Sequence, residues 1–338
     1  MNEVSERILS FYQEHKRDLP WRNIENPYYT LVSEIMLQQT RVDTVIPYFL
    51  RFIEKLPTIE SLSMVSEEEL LKLWQGLGYY RRAINLQKAA KMVMEKHQGV
   101  IPDDYALLIK LPGIGEYTSK AILSIAFNQK AVAVDGNVLR VFTRYYGIYN
   151  DVSLDKTKTV IEEKVLNIFP SHSQSDFMQA LMEIGALICV PNADPQCLIC
   201  PLQKECYAYK HRQIEQLPVK TKKDTQKIEL RTVLIIHFED EYHIQKRSEK
   251  GLLSSLWELP NRLGHLSLAE TTDFLFELGY TDCLLEVGPN KKHVFTHITW
   301  NMISYDVKLS SRYQGLISLE TIKKDYSIPK AFSIFLPE

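Results

Sequence analysis

The sequence lacks long apolar runs, and no segment approaches the roughly 18 consecutive apolar residues from which a membrane-spanning helix is read. Residues 1–17, MNEVSERILSFYQEHKR, are amphipathic and lack the uninterrupted apolar stretch of a secretory signal. A strong net charge is missing too, because 40 Lys and Arg stand against 42 Asp and Glu. We therefore expect a cytoplasmic protein, and any surface for a polyanion must come from local asymmetry of charge.

Internal repeats and low-complexity tracts are also absent, and a composition of 45% hydrophobic and 24% charged residues is typical of a globular protein. At 338 residues the chain is long enough for two or three domains. One local basic cluster stands out, with only Glu95 opposing it. Its members are Arg81, Arg82, Lys88, Lys91 and Lys96. They indicate either a nucleic-acid surface or an ordinary solvated helix face.

Cysteine is scarce outside one short segment. Of five cysteines, Cys283 lies apart, and Cys189, Cys197, Cys200 and Cys206 fall within 18 residues. In a reducing compartment such a cluster indicates metal binding and not disulfides. Zinc is the simplest alternative, but zinc modules usually offer two C-x2-C pairs or Cys/His pairs. The unequal loops here favour an iron-sulfur cluster.

The apolar pattern changes once along the chain. Residues 2–212 repeat apolar positions at spacings of three and four, which predicts short helices. The segment 213–227 is polar and lysine-rich, so we predict a linker at 216–228. Beyond it, β-branched runs and strand-like residues at 293–308, with a predicted helix near 267–279, indicate an α+β region over 229–338.

A glycine-rich turn, LPGIG, predicts a hairpin between two helices. Leu111, Gly113 and Gly115 belong to it, and the second helix begins at about Glu116. The glycines allow backbone N–H groups to approach a phosphate closely. A helical hairpin that binds no ligand is the alternative.

Two acidic residues are candidates for chemistry. Glu34 lies in an otherwise apolar helix, where a buried carboxylate is costly unless it is paired or protonated. Asp135 ends an apolar stretch in VDGNV and is also a good N-cap for the helix that follows. Two carboxyl groups with different pKa values suffice to cleave a glycosidic bond, since one donates a proton and the other stabilises the sugar cation.

The segments SEIMLQQT, LWQGLGYYRRA, LPGIGEYTS and VDGNV together resemble the MutY branch of the helix-hairpin-helix DNA glycosylases across residues 1–212. The cysteines resemble the C-x6-C-x2-C-x5-C iron-sulfur loop of endonuclease III and MutY. The resemblance implies a helical glycosylase region at 1–215, with a six-helix domain at about 25–130 and an iron-sulfur domain from 1–24 plus 131–215. It implies one 4Fe–4S cluster, held by Cys189, Cys197, Cys200 and Cys206.

The resemblance also implies the activity, which is removal of adenine mispaired with 8-oxoguanine or guanine in double-stranded DNA. Glu34 would be the general acid and Asp135 the stabiliser of the sugar cation, with Asn137 and Tyr117 in support. Endonuclease III relatives carry a Schiff-base lysine where this chain has Tyr117, so simple hydrolysis is expected. Lys120, one helical turn further on, leaves a weak lyase activity open.

Recognition residues follow from the same resemblance. The adenine pocket would be lined by Trp21, Arg22, Leu37 and Gln179. Contacts to DNA would come from Gln38, Gln39, Thr40, Tyr79, Leu111, Gly113 and Gly115. Without the family, Tyr79 would be read as a core aromatic. We expect a monomer that binds DNA.

Residues 229–338 resemble the Nudix-like C-terminal domain of MutY proteins, which reads oxidised guanine. Phe295, Thr296 and His297 stand where the family commonly has Phe-Ser-His. The clustered glutamates with which a Nudix hydrolase holds magnesium are not present, so we expect no pyrophosphatase activity. A bifunctional glycosylase/lyase and a noncatalytic iron-sulfur carrier are the competing interpretations.

Overall fold

The computed structural model describes residues 2–22, 24, 26–191, 194–221, 227–248 and 251–337. The chain divides into two compact units. The first comprises Met1–Met64 and Asn85–Lys222, and the second comprises Val65–Ile84 and Lys223–Glu338. Within the described ranges, no helix is both long enough and apolar enough to cross a membrane.

The N-terminal part of the chain is helical, as the spacing of apolar residues predicts. Its helices are α1 (Glu3–His15), α2 (Pro27–Leu37), α3 (Val42–Lys55), α4 (Ile59–Met64), α5 (Glu67–Trp74), α6 (Arg81–His97), α7 (Tyr105–Leu108), α8 (Glu116–Ile125), α9 (Gly136–Tyr146), α10 (Asp155–Leu166), α11 (Gln174–Glu183) and α12 (Tyr207–Lys210). A π-helical turn, Ile184–Ile188, continues α11, and 3-10 turns lie at Cys197–Ile199 and Gln203–Glu205.

The core of the first unit explains why α2 carries a buried acid. Helix α2 begins with Asn26 as N-cap and Pro27 in its first turn, a usual helix start. Its residues Leu31, Val32 and Met36 are fully buried. Because α2 is buried on nearly every side, the carboxyl group of Glu34 lies in the interior with them.

The second unit is built on a mixed sheet. Its strands are β1 (Lys227–Phe238), β2 (Glu241–Tyr242), β3 (Gln245–Lys246), β4 (Trp257–Glu258), β5 (Asn261–Leu263), β6 (Cys283–Val287), β7 (Lys291–Val294), β8 (Ile298–Leu309) and β9 (Ile317–Ser318). The strand order along the sheet is β6-β8-β1-β2-β9, with β5 also paired to β1 and β7 also paired to β8. Strands β3 and β4 form a separate two-stranded sheet. Strands β1 and β8 are parallel, and the other pairs are antiparallel.

Both faces of this sheet are buried. Along β1, Val233 and Ile235 belong to one apolar cluster, and Leu234 and Ile236 belong to another. Successive side chains of a strand point to opposite faces, so a continuous apolar run is what a strand covered on both sides requires. The covering helices are α13 (Leu268–Glu277), α14 (Leu319–Asp325) and α15 (Lys330–Ser333).

The predicted fold class, mainly helical with an α+β C-terminal region, is confirmed. One grouping was not expected, since residues 65–84 cluster with the second unit although they lie within the predicted glycosylase region. The predicted linker and the division of residues 1–215 stay predictions. Residues 222–226 of that linker lie outside the described residues.

Candidate active site

A cavity of about 450 Å³ lies in the first unit. Its walls come from the segment after α1, from α2, the start of α3, α8, the start of α9, and α11 with the turn that follows it. All eight residues predicted to form the catalytic group and the adenine pocket line it. They are Trp21, Arg22, Glu34, Leu37, Tyr117, Asp135, Asn137 and Gln179.

Glu34 is 6% exposed and is the most deeply placed acid of this group. The pKa of Glu34 is raised to about 7, chiefly by burial. The charge of Asp135 adds to this rise, whereas the hydrogen bond from the Tyr117 hydroxyl and the charge of Arg22 oppose it. A carboxyl group with this pKa is protonated in a large fraction of molecules at neutral pH. It can therefore donate a proton to a ligand in the cavity.

Asp135 has a more polar environment than Glu34. It is the N-cap of α9, where its Oδ1 accepts the backbone N–H of Val138 at 2.7 Å, and this part of the prediction is confirmed. Its Oδ2 accepts the Asn137 side-chain amide at 2.8 Å. Burial raises the pKa of Asp135, and the bonds from Val138 and Asn137 counteract this shift. The carboxyl group is thus fixed in orientation at the start of a helix.

Sequence reasoning missed Glu183, which also lines the cavity. Its Oε1 accepts Arg17 Nη2 at 2.7 Å and Arg22 Nη2 at 2.6 Å, and its Oε2 accepts Arg17 Nε at 2.9 Å. Burial alone would raise the pKa of Glu183, but the two guanidinium groups hold it below its ordinary value. The available signal was an acidic residue in the apolar run LMEIGALI, the same signal that marks Glu34.

Arg140 was also missed, and it links the Asp135 loop to the cysteine segment. Its Nη2 donates to Asn137 Oδ1 at 2.8 Å and to the Gly185 carbonyl at 2.7 Å, while its Nε donates to the Cys189 carbonyl at 2.6 Å. A fully formed set of buried bonds of this kind restricts the loop to one arrangement. Asn137 therefore holds Asp135 from one side and is itself held by Arg140.

The predicted hairpin lies between α7 and α8. Gly113 has φ +79°, a left-handed conformation that glycine adopts without strain, and a Cβ there would lie 2.8 Å from Asn85 Cβ. Gly115 is the N-cap of α8, and Leu111 is buried. The first N–H groups of a helix have no partner within the helix, so this end can accept an anion.

Two regions of the chain match known protein families. Residues 32–171 match the HhH-GPD superfamily of base excision DNA repair proteins, and residues 231–337 match the NUDIX domain. The adenine DNA glycosylase of Buchnera aphidicola subsp. Schizaphis graminum is 40% identical over 258 residues, which are 76% of this chain and 74% of that protein. The chain belongs to the adenine DNA glycosylase family. It is therefore a DNA N-glycosylase of base excision repair, a hydrolase of N-glycosyl bonds.

A further relative and two solved structures are also similar to the glycosylase. The Mus musculus adenine DNA glycosylase is 43% identical over 223 residues, which are 62% of this chain and 42% of that protein. Among solved structures, a thermostable thymine-DNA glycosylase is 31% identical with a TM-score of 0.56, and covers 61% of this chain and 95% of its own. A non-covalent endonuclease III–DNA complex is 28% identical with a TM-score of 0.53, and covers 63% and 98%.

The four clustered cysteines of the glycosylase line a second, mainly apolar cavity in the first unit. The spacing of these cysteines is C-x7-C-x2-C-x5-C and not C-x6-C-x2-C-x5-C, because the seven residues 190–196 separate Cys189 from Cys197. Two of these seven, residues 192 and 193, lie outside the described residues. The longer first interval does not prevent the four thiols from facing one cavity.

Arg144 and burial define the surroundings of these thiols. Arg144 Nη1 lies 3.2 Å from Cys189 Sγ and 3.2 Å from the Val190 carbonyl. Burial raises the pKa of Cys200 to about 12. Within the described part of the chain, no three His, Cys, Asp or Glu side chains are placed to hold a single metal ion.

The residues predicted to contact DNA lie in both units. In the first, Gln38 is the C-cap of α2 and its amide donates to Thr118 Oγ1 at 3.3 Å, Gln39 has φ 62°, and Thr40 lines the large cavity. In the second, Tyr79 is 48% exposed with φ 49°. An exposed aromatic ring on a left-handed residue argues against the core role that was the alternative for Tyr79.

Tyr79 and the Phe295–His297 loop meet within the second unit. The Tyr79 and Thr296 hydroxyl groups are hydrogen-bonded. Behind them, the Phe295 ring packs edge-on against Trp300 with centroids 4.8 Å apart. Thr296 and His297 are exposed. The glycosylase therefore presents a hydroxyl pair backed by aromatic rings at this position.

The structure gives partners to two basic residues that the sequence singles out. Arg82 is not part of a solvated face, because it is buried and its Nη2 donates to the Gly78 carbonyl at 3.1 Å. Lys120 Nζ lies 2.6 Å from both Glu116 and Glu162, and their hydrogen bonds and charges raise its pKa although burial lowers it. A lysine held in this state is a poor nucleophile.

Proposed function

We propose that the protein is a monofunctional glycosylase that removes adenine paired with 8-oxoguanine or with guanine and leaves an abasic site. The observation that carries the proposal is the convergence of Glu34, Tyr117 and Asp135 in one cavity. Its 450 Å³ falls in the range of about 300–1,000 Å³ typical of small-molecule sites. An adenine reaches such a site only after it leaves the base stack.

The chemistry follows from the two acids. Glu34 donates its proton to N7 of adenine as the C1′–N9 bond breaks, so that the base leaves as a neutral molecule. The sugar develops positive charge, and the Asp135 carboxylate, held by Val138 and Asn137, stabilises that charge. A water molecule adds its oxygen to C1′ and gives a proton to the Glu34 carboxylate, which restores the acid and completes the hydrolysis.

A monofunctional reaction is supported by the position of Tyr117. Its hydroxyl donates to Glu34, and a phenol cannot form the Schiff base by which a lysine cleaves the strand. Lys120 is held by Glu116 and Glu162 and is not among the residues that line the cavity. We therefore propose that strand breaks arise only after alkali treatment of the abasic product.

We further propose that Cys189, Cys197, Cys200 and Cys206 hold one 4Fe–4S cluster. Cysteine thiolates are the protein ligands that such a cluster would take. The cavity that the four cysteines share supports this assignment. When bound, the cluster would cross-link the segment and could carry an electron. Arg144 would then donate to the Cys189 sulfur.

Double-stranded DNA is the proposed partner of a monomeric enzyme. The α8 end of the hairpin would bind a phosphate, and Gln38, Gln39 and Thr40 would contact the DNA. Tyr79, Phe295, Thr296 and His297 would read the opposite base. Thr296 adds a methyl group to the serine of the family pattern and keeps the hydroxyl, which is hydrogen-bonded to that of Tyr79.

The first test is single-turnover incubation with duplexes that carry adenine opposite 8-oxoguanine or guanine. Wild type is compared with Glu34→Gln and Tyr117→Lys, and strands are scored before and after alkali. We expect breaks only after alkali for wild type, and none for Glu34→Gln. Breaks without alkali would favour a lyase, and no release of adenine would contradict the substrate.

A further inference from the structure

Glu183 is a third buried acid at the cavity, and the proposed chemistry gives it no role. Building on the proposed function, we infer that Glu183 is a positioning residue for the general acid: it fixes Arg22 and neutralises the charge that Arg22 presents to Glu34. Glu34 can then remain protonated beside a buried guanidinium group. Glu183 itself touches neither the base nor the sugar in this assignment.

The geometry isolates Glu183 from water. Its side chain is 1% exposed, and its oxygens take three hydrogen bonds of 2.6 to 2.9 Å from Arg17 and Arg22. Arg22 is further held by its Nη1, which donates to the Arg17 carbonyl at 2.9 Å. One carboxylate therefore both helps to hold Arg22 in position and lies against its positive charge.

The two arginines differ in how water screens them. The Arg17 side chain is 31% exposed, whereas that of Arg22 is 8% exposed. Solvent stabilises and screens the first charge but reaches the second poorly, and a charge in a low-dielectric interior acts strongly on its neighbours. Among the groups described, the Glu183 carboxylate is the one that accepts both guanidinium groups.

The groups that face Glu34 come from several elements. Tyr117 on α8 and Asp135 at the start of α9 act on it directly, and so does Arg22 from the segment after α1. Arg41 and Asp43, at the start of α3, also line the cavity and carry opposite charges. Burial and Asp135 raise the pKa of Glu34, whereas Tyr117 and Arg22 lower it. An Arg22 without its counter-charge would therefore favour ionised Glu34.

The Nε atom of Arg22 differs from the two terminal nitrogens of its guanidinium group. Among the described residues its Nε is buried without a hydrogen-bond partner. Nη1 is engaged by the Arg17 carbonyl and Nη2 by Glu183, so both terminal nitrogens of Arg22 already have partners. Loss of Glu183 would release Nη2 and allow the guanidinium group to rotate.

The test is the pH dependence of single-turnover adenine release between pH 5 and pH 9. We compare wild type with Glu183→Gln, Glu183→Asp and the double variant Glu183→Gln with Arg22→Met. The basic limb of the profile should lie about one pH unit lower in Glu183→Gln, since an opposite charge nearby shifts a carboxyl pKa by at least that much. Release at pH 8 should then fall about tenfold, with a smaller change at pH 5.5.

The companion variants separate charge from packing. Glu183→Asp keeps the negative charge, so the basic limb of its profile should lie at the same pH as in wild type. In the double variant, the basic limb should return toward the wild-type pH. Arg22→Met alone should move the limb to higher pH, which keeps the inference testable if Glu183→Gln does not fold. An unchanged limb in Glu183→Gln, or equal shifts in Glu183→Gln and Glu183→Asp, would overturn it. No adenine release by wild type would instead contradict the proposed function.

Discussion

At the scale of single residues, the buried acids Glu34 and Glu183 of the first unit have pKa values shifted in opposite directions. Glu34 receives one hydroxyl hydrogen bond, and its pKa rises to about 7. Glu183 receives two guanidinium groups, and its pKa falls. The difference lies in the partners and not in the depth, because both side chains are almost fully buried. One acid is thereby suited to donate a proton and the other to balance charge.

The raised pKa of Glu34 predicts a pH-dependent cost in stability. In the unfolded chain Glu34 ionises near 4.5 and in the folded protein near 7, so the folded state binds the proton more tightly. Proton binding by Glu34 contributes its full share to the free energy of unfolding below about pH 4.5, and this contribution is lost as pH rises through 7. We expect Glu34→Gln to gain stability relative to wild type across this window, by about 2 to 3 kcal/mol in total.

Urea unfolding at pH 5 and pH 8 measures this difference. Tyr117→Phe removes a hydrogen bond that lowers the pKa of Glu34 but keeps the acid, so the pH dependence should persist and not become smaller. A constant difference between wild type and Glu34→Gln at the two pH values would contradict the prediction.

A glycine next to Asn137 supports a second prediction. A Cβ at Gly185 would lie 2.4 Å from Asn137 Cβ and 3.1 Å from its Cα. Gly185→Ala must therefore displace Asn137, which holds Asp135. Because a misplacement of about 1 Å can cost on the order of 100-fold in rate, we expect adenine release to fall at least about tenfold.

The matched control is Gly136→Ala, since a Cβ at Gly136 meets nothing within 4 Å. Single-turnover rates of both variants are compared with wild type. Similar losses in the two would show that contact with Asn137 is not the cause.

At the scale of elements, one helix of the second unit fixes the Tyr79 loop. Lys72 on α5 donates to the Lys323 carbonyl at 2.5 Å and to the Tyr326 carbonyl at 3.2 Å, at the end of α14. Gln75 donates to the Ile328 carbonyl at 3.3 Å. These contacts explain why residues 65–84 group with the second unit.

We predict that Lys72→Met loosens Tyr79 relative to Thr296. A hydrogen bond to a charged group contributes about 1.5–3 kcal/mol, so the preference for 8-oxoguanine over guanine should drop several-fold. Adenine release from both duplexes measures this ratio. Glu68→Gln is the control, because the exposed Glu68–Lys246 pair is long, at 3.5 Å, and contributes little. A ratio that falls equally in both variants would contradict the prediction.

At the scale of the whole molecule, cleavage and reading of the opposite base are assigned to different units. Every residue that lines the large cavity belongs to the first unit. The Tyr79–Thr296 pair belongs to the second. Removal of residues 220–338 should therefore lower the preference for 8-oxoguanine more than it lowers cleavage.

Adenine release ratios for the two duplexes, before and after truncation, test this. Thr296→Ala in the full chain is the companion variant, because it removes the hydroxyl without exposing the contacts of α5. Equal ratios in the truncated and full proteins would refute the separation of roles.

The local pattern of the sequence determined much of this protein. Periodic apolar residues predict the helices of residues 2–212, and the LPGIG turn predicts the hairpin. Glu34 and Asp135 stand out because an acid in an apolar helix and an aspartate before a helix each have a local physical cause. These signals depend on neighbours along the chain, so a single sequence contains them.

Only the tertiary structure decided which distant residues meet. The ion pairs of Glu183 with Arg17 and Arg22, and the bonds from Arg140 to the cysteine segment, join residues far apart in sequence. The contacts of Lys72 with the end of α14 span 251 positions or more. No periodicity encodes such pairs, because burial and hydrogen-bond satisfaction select them only when the elements pack. The pKa of Glu34 belongs to this second class, since every group that shifts it arrives from another element.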